Sequence, residues 1–174
     1  AAKLDIPYYV MDYTESFSED VVDNFVGMYA KGLTPNPCVE CNRSVKFDHF
    51  LTQAKKLNCE KVATGHYAKI IKNDNNYELH KADYLDKDQS YVLHMLTSEK
   101  LEYIEFPLGT ISKPEVRQIA AELGLKTAFK KDSQDICFVG KKDYRNFVNT
   151  RVDISSSGEI VDNNGKKIGE HKGV

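Results

Sequence analysis

The chain has 174 residues, of which 41% are hydrophobic and 29% charged, and its formal net charge is −2. A chain of this size buries one ordinary core, so we expect one domain plus a fragment of another. No apolar run approaches the roughly 18 residues that a membrane-spanning helix requires, so we expect no membrane partner. The chain has no initiating Met and no signal-peptide pattern, so we interpret it as a piece of a longer protein.

Four cysteines without a secretory signal predict a cytoplasmic, reducing environment, in which clustered cysteines serve catalytic, redox or metal-binding roles. The charges are unevenly distributed. Residues 5–29 carry six acidic and no basic side chains, whereas residues 108–151 carry nine basic and five acidic ones. This asymmetry is compatible with a basic face for a phosphate backbone, and equally with an ordinary solvated surface.

The first predicted elements are a strand and a helix. Ile6–Val10 is β-branched and aromatic, which is typical of a short buried strand. A helix is predicted to follow, with Ser18 as its N-cap and Gly32 at its end. Its apolar stripe consists of Val21, Val22, Phe25, Val26 and Tyr29.

The segment from Thr34 to Asn42 fits neither helical nor strand periodicity. Pro35 and Pro37 fix their own φ angles and push the residues before them toward extended conformations. We therefore predict a stiffened loop here.

The later elements alternate between strand and helix. In chain order they are a helix at 47–57, a strand at 61–65, a hairpin of 67–71 and 77–81, a helix at 112–123, a short helix at 143–150, and a hairpin of 158–161 and 167–169. Ser112 and Glu115 have capping-box spacing, and Asn164-Gly165 is a hairpin turn signal. Alternation up to about residue 65 favours an α/β fold with a parallel sheet, and the last hairpin resembles the start of a small β domain.

Cys38 and Cys41 have the C-x-x-C spacing of redox pairs and metal knuckles. The pair alone is weak evidence, because a structural zinc site needs two more Cys or His ligands. A thioredoxin-like pair belongs at a helix N-terminus, whereas a loop is predicted here. A buried, unreactive thiol is the simplest alternative for either residue.

Four longer segments carry a far more specific signal. They are Gly32–Pro37 with Cys41-Asn42 and Lys46-Phe47, Ala63–Tyr67, Asp86–Tyr91, and Lys131–Phe138. In this order they resemble the motifs of the tRNA-specific 2-thiouridylase family, and residues 158–173 resemble the start of that family's central β domain. The resemblance covers essentially the whole chain. It implies a Rossmann-like adenine-nucleotide alpha-hydrolase (ATP-pyrophosphatase) fold with a parallel sheet.

The resemblance also implies a reaction and two working thiols. In this family ATP with Mg²⁺ adenylates O2 of the wobble uridine of tRNA, and persulfide sulfur then replaces that oxygen at C2. Cys137 matches the persulfide-bearing position and Cys41 the nucleophile. The two thiols would end joined as a disulfide, which a single cysteine could not form.

Other matching positions imply binding roles. Gly65 resembles the nucleotide contact, where the absent side chain lets ATP lie close to the backbone. Contacts to the tRNA or its target base are implied for Asn36, Pro37, Cys38, His66, Lys87, Asp88 and Gln89. From charge alone we add as candidate phosphate contacts Lys130, Lys131, Lys141, Lys142 and Arg145.

The chain departs from the family pattern in two places. It contains no S-G-G-x-D-S phosphate-binding loop, so we expect little ATP binding or thiolation from this piece alone. Cys38 stands where many members carry an aspartate, which makes it a possible auxiliary thiol. With Cys41 and Cys137 it would also supply three ligands to a 4Fe–4S cluster, a lower-ranked hypothesis.

We predict three segments: residues 1–107 as part of the nucleotide-binding domain, 108–153 as a helical segment with Cys137, and 154–174 as the start of a β domain. The expected partners are tRNA and an upstream sulfur-carrier protein, and the expected state is a monomer. Three rival functions remain: a related iron–sulfur tRNA sulfurtransferase, a thiol redox protein using Cys38 and Cys41, and a zinc-stabilised RNA-binding module.

Overall fold

The computed structural model describes residues 1–132, 135–140, 143–153 and 157–173. Its α-helices are α1 (Thr14–Phe17), α2 (Asn24–Ala30), α3 (Pro37–Cys41), α4 (Phe50–Lys56), α5 (Ser98–Leu101), α6 (Lys113–Glu122) and α7 (Tyr144–Asn149). Its strands are β1 (Val62–Ala63), β2 (Ala68–Asn73), β3 (Asn76–Lys81), β4 (Ile104–Glu105), β5 (Gly158–Val161) and β6 (Lys167–His171). Within the described residues, no helix combines the length and apolar character needed to cross a membrane.

The first helical run begins earlier than predicted. α1, a π-helical stretch at Ser18–Asp23 and α2 follow one another without a break. Ser18 is therefore not the N-cap; instead, the carboxylate of Asp12 accepts hydrogen bonds from the N–H (2.9 Å) and hydroxyl (2.6 Å) of Thr14. The predicted end is confirmed, because Gly32 adopts a φ of 72° directly after the helix.

The predicted loop at 34–42 is wrong over its second half. α3 starts at Pro37 and continues through a π-helical stretch at Asn42–His49 into α4. The side chain of Asn36 caps this helix by accepting a hydrogen bond from the N–H of Cys38, at 3.2 Å. Pro37 occupies the first helical position, where its fixed φ is suitable and its missing N–H leaves no donor unsatisfied.

The predicted strand at Ile6–Val10 is also wrong. This segment forms no strand, and Tyr8 and Val10 are 76% and 82% exposed. A strand requires a neighbour that pairs with its backbone N–H and C=O groups. Among the described strands, β1 pairs only with β4, so the apolar pattern of Ile6–Val10 has no partner strand.

The remaining predicted elements are confirmed. β1 and β4 run parallel, with Val62 opposite Ile104, which agrees with the expected parallel sheet. β2–β3 and β5–β6 are antiparallel hairpins, and Gly165 in the second turn has a φ of 79°. α6 has the full Ser112–Glu115 capping box, and α7 occupies the predicted short helix.

Two hydrophobic clusters position the cysteine-bearing segments. The first gathers residues from the helical run that begins at α3, from β2, and from residues 92–106, which include α5 and β4: Phe47, Ala68, Val92, Leu93, Leu96, Leu101, Ile104 and Phe106. The second is centred on Phe25, Val139 and Val148, with Ile136 and Phe138 packed against it. It joins α2 to the Cys137 segment and α7.

The division of the chain into segments 1–107, 108–153 and 154–174 stays a prediction.

Candidate active site

Cys38, Cys41 and Cys137 line one cavity of about 310 Å³. Its other polar walls come from the side chains of Asn42, Lys46, His66 and Gln89. Larger cavities of about 560–580 Å³ lie elsewhere, and none contains a residue predicted for the site. The structure thus brings together the two thiols that the family resemblance paired, although 96 positions separate them in sequence.

The first two thiols owe their placement to the helix start. Cys38 and Cys41 lie three residues apart, so they project from the same face of α3. Cys38 is exposed and Cys41 is partly buried. A C-x-x-C pair at a helix N-terminus is the arrangement of thiol redox motifs, so the sequence-based argument against such a pair does not hold.

Cys137 is placed by the aromatic residues around it. Phe138 packs edge-on against Phe25, with ring centroids 5.2 Å apart, and lies 5.3 Å from Phe147. Ile136 joins the same cluster, whereas Cys137 itself is exposed. Its two neighbours therefore anchor the segment and leave the thiol accessible. None of the four cysteines forms a disulfide.

Burial and three neighbouring groups shift the pKa of the Cys41 thiol. Burial raises the pKa of Cys41, and the nearby thiols of Cys137 and Cys38 raise it further, whereas Lys46 lowers it. The thiol is consequently protonated at neutral pH, and Lys46 is the group that favours its thiolate. Lys46 lies on the π-helical stretch that follows α3, one turn beyond Cys41.

His66 is a buried, uncharged residue that lines the cavity. Its ring nitrogen Nδ1 lies 2.7 Å from the hydroxyl of Thr64, and its ring packs against Phe47 and Phe106. Burial, with a smaller contribution from Lys46, lowers the pKa of His66 to about 4. At physiological pH this side chain offers a hydrogen bond and no charge.

Gln89 is the member of the predicted 87–89 contact segment that lines the cavity. Its backbone N–H donates to the carbonyl of Tyr67 at 2.8 Å, and its side-chain oxygen accepts from the N–H of Tyr67 at 3.1 Å. Asp88 has a local structural role, because it accepts bonds from the N–H of Ala82 (2.8 Å) and the hydroxyl of Ser90 (2.6 Å). Lys87 pairs with Asp132 at 3.0 Å.

Gly65 lies two residues beyond the end of β1. Its φ is not positive, and a Cβ built there would meet only Leu108, at an ordinary 3.8 Å. Neither backbone strain nor packing within the described chain therefore requires glycine at this position.

Three of the five predicted phosphate contacts lie within the described residues. Lys130, Lys131 and Arg145 are exposed, whereas Lys141 and Lys142 lie outside the described residues.

Sequence reasoning missed Lys46 as a functional residue, and it also missed Lys113 and Arg117, which converge on Asp132. Their spacing of four residues in a predicted helix was the available signal for one shared face.

Residues 1–141 match the family model described as tRNA methyl transferase HUP domain. The whole chain is 50% identical to a protein named tRNA-specific 2-thiouridylase MnmA from Rickettsia peacockii (strain Rustic), and 49% identical to those of Rickettsia akari (strain Hartford) and Rickettsia conorii (strain ATCC VR-613 / Malish 7). The chain spans only 47–48% of the length of these relatives. With its parallel β1–β4 pair, its cysteine cavity and a family match over most of its length, the chain belongs to the tRNA methyl transferase HUP-domain family and has that family's Rossmann-like α/β fold.

Proposed function

We propose that this chain forms the sulfur-transfer part of a tRNA-specific 2-thiouridylase. In the proposed reaction, ATP adenylates O2 of the wobble uridine, and sulfur from a persulfide replaces that oxygen at C2. The observation that carries the proposal is the single cavity that Cys41 and Cys137 share. The family model's name refers to methyl transfer, but three thiols around one cavity favour sulfur chemistry.

Each thiol has a distinct role in the proposed chemistry. An upstream carrier protein delivers sulfur to Cys137, whose exposure suits that exchange. The Cys41 thiolate then attacks the Cys137 sulfur of the persulfide, which forms a Cys41–Cys137 disulfide and releases hydrosulfide. Hydrosulfide attacks C2 of the adenylated uridine, and AMP departs with the former O2. In a second route, the outer sulfur of the persulfide attacks C2 directly and AMP departs with the former O2. The Cys41 thiolate then attacks the Cys137 sulfur, which leaves the outer sulfur on C2 and forms the same disulfide.

Cys38 is proposed as the thiol that resets the pair. Its thiolate attacks Cys41 in the Cys41–Cys137 disulfide, which frees Cys137 and leaves a Cys38–Cys41 disulfide without net oxidation. Cys38 is the exposed member of that pair, so an external dithiol can reduce it. This gives a function to a cysteine at a position where the family often has aspartate.

The nucleotide and the target base are proposed to bind next to each other. Gly65 is proposed to face the nucleotide, since neither backbone strain nor packing among the described residues requires a glycine there. Asn36, Pro37 and Cys38 border the space proposed for the extruded uridine, because a base must leave its stack to reach two thiols. His66 and Gln89 would offer neutral hydrogen bonds. ATP and Mg²⁺ would depend on a phosphate-binding loop that this chain does not contain.

An iron–sulfur cluster does not fit the cysteines as they are placed. Among the described residues, which include all four cysteines, no group of three Cys, His, Asp or Glu side chains is arranged to hold a metal ion. No step of the proposed reaction therefore involves a cluster.

A thiol oxidoreductase using Cys38 and Cys41 is the second candidate, because the pair lies at a helix start. The two functions differ in their demand for Cys137 and for tRNA. An oxidoreductase would keep its activity in Cys137→Ser and would ignore tRNA.

The test is an ATP-dependent tRNA thiolation assay on the full gene product. Cys41→Ser and Cys137→Ser should each abolish 2-thiouridine formation, while Cys59→Ser should not. Cys59 is a matched control, since it is exposed and lines a different cavity. Full activity in either of the first two variants would overturn the proposal.

A further inference from the structure

One carboxylate in the structure holds three cations. Asp132 lies 3.0 Å from the ammonium of Lys87, 3.2 Å from that of Lys113 and 3.7 Å from the guanidinium of Arg117. Within the described ranges it is the sole carboxylate with three basic partners, and none of the three cations has a second carboxylate partner there. The cluster therefore carries two positive charges more than its carboxylate neutralises.

The placement of these cations needs an explanation. Lys113 is the first residue of α6, where the partial positive charge of the helix terminus disfavours a cation. Arg117 lies four residues later on the same face of this ten-residue helix. The capping box of Ser112 and Glu115 fixes the helix start, so both basic side chains emerge from an ordered element. Negative charge beside Lys113 offsets this unfavourable interaction with the helix terminus.

The cluster is accessible to a ligand. The side chains of Lys87, Lys113 and Arg117 are 38%, 28% and 44% exposed, and that of Asp132 is 29% exposed. The pKa of Asp132 is lowered by its hydrogen bonds to Lys87 and Lys113, so the carboxylate stays ionised and occupies the site as an internal anion. Its two oxygens resemble the two non-bridging oxygens of a phosphodiester, the other anion that Lys and Arg forks recognise.

Connections within the fold tie this cluster to the cysteine cavity. Lys87 precedes the cavity residue Gln89 by two positions, and Asp132 precedes Cys137 by five. The ammonium of Lys113 lies 5.5 Å from the centre of the Tyr67 ring, and Tyr67 is the residue that exchanges two hydrogen bonds with Gln89. The cluster is therefore connected to two segments that line the cavity.

We propose that Lys113 and Arg117, together with Lys87, form a binding site for a backbone phosphate of the RNA substrate, with Asp132 as the internal anion that competes for it. This inference rests on the proposed function for the identity of the RNA. It assigns roles to Lys113, Arg117 and Asp132 that the cysteine chemistry does not require.

The test measures the affinity of the full gene product for an unmodified substrate tRNA transcript, by fluorescence anisotropy over a series of salt concentrations. Lys113→Gln and Arg117→Gln should each weaken binding and lower the slope of log Kd against log salt by about one unit, as expected for one lost phosphate contact. Asp132→Asn should tighten binding, because it removes the competing carboxylate.

Lys61→Gln is the matched control. It also removes one exposed lysine that is paired with a carboxylate, Glu105, and it should leave the affinity and the slope unchanged. The melting temperature of each variant is first compared with that of the parent. Arg117→Lys keeps the charge and should therefore keep the slope of log Kd against log salt, even where Arg117→Gln perturbs the fold.

The inference is overturned if both Gln variants bind tRNA with the parent's Kd and slope, or if Asp132→Asn weakens binding. It is also overturned if the Gln variants leave the slope intact and raise KM for ATP, since the cluster would then serve the nucleotide's phosphates. Binding needs no thiolation, so full activity in the Cys41 and Cys137 variants would contradict the proposed chemistry alone.

Discussion

At the scale of single residues, Lys46 is the neighbour that lowers the pKa of the Cys41 thiol. Burial and two neighbouring thiols oppose the Cys41 thiolate, whereas the ammonium of Lys46 favours it. Lys46→Gln should therefore raise the pKa of Cys41 further and shift the pH profile of its alkylation to higher pH. Mass spectrometry of iodoacetamide labelling measures this, with the exposed Lys31→Gln as control. An unchanged profile in Lys46→Gln would contradict the assigned role.

His66 should make stability depend on pH. The fold lowers the pKa of His66 from 6.5 to about 4, so between these values the unfolded chain binds more protons than the folded one. Stability is then fully present above pH 6.5 and falls as the pH decreases toward 4, by at most about 3 kcal/mol. Denaturant unfolding at pH 7.5 and 5 should show a smaller difference in His66→Gln. The same difference in both proteins would contradict burial of the ring.

At the scale of elements, two variants of Asn36 at the start of α3 distinguish helix capping from recognition of the target base. Asn36→Ala removes the cap and should cost about 1 kcal/mol in unfolding free energy, whereas Asn36→Ser keeps a capping oxygen and should cost much less. If Asn36 also contacts the target base, Asn36→Ser should lose thiolation while it keeps stability. Equal melting temperatures for Asn36→Ala and the parent would show that the cap contributes nothing.

Elements with local signals could be predicted from sequence, and elements with non-local causes could not. The capping box of Ser112 and the Asn164-Gly165 turn each lie within a few residues, and both were confirmed. The extended conformation that Pro37 imposes on Asn36 suits a helix N-cap as well as a loop, so the prolines alone did not distinguish the two. Ile6–Val10 has strand composition, but its conformation depends on a pairing partner that composition does not reveal.

The site shows the same division. No periodicity or spacing connected Cys41 with Cys137; only the resemblance to a family paired them, and the fold supplies the shared cavity. The convergence of Lys87, Lys113 and Arg117 on Asp132 was likewise invisible, because it joins two segments and a helix. Contacts between distant segments require the fold.

At the scale of the whole molecule, the aromatic cluster around Phe25 attaches the Cys137 segment to α2. Phe25 is fully buried against Phe138, so Phe25→Ala should cost about 3–5 kcal/mol and should reduce sulfur transfer by releasing the Cys137 segment. Phe129→Ala makes the same deletion at an 84% exposed position and should cost less than about 0.5 kcal/mol. Chemical unfolding of the two variants measures both values, and equal losses would contradict the cluster's role.

The central claim is that Cys41 and Cys137 act as one pair. The most direct measurement is disulfide mapping by mass spectrometry after a single turnover without reductant, in the Cys38→Ser variant of the full gene product, which cannot reset the pair. One Cys41–Cys137 cross-linked peptide is expected for each 2-thiouridine formed. Thiolated tRNA alongside free Cys41 and free Cys137 would contradict it.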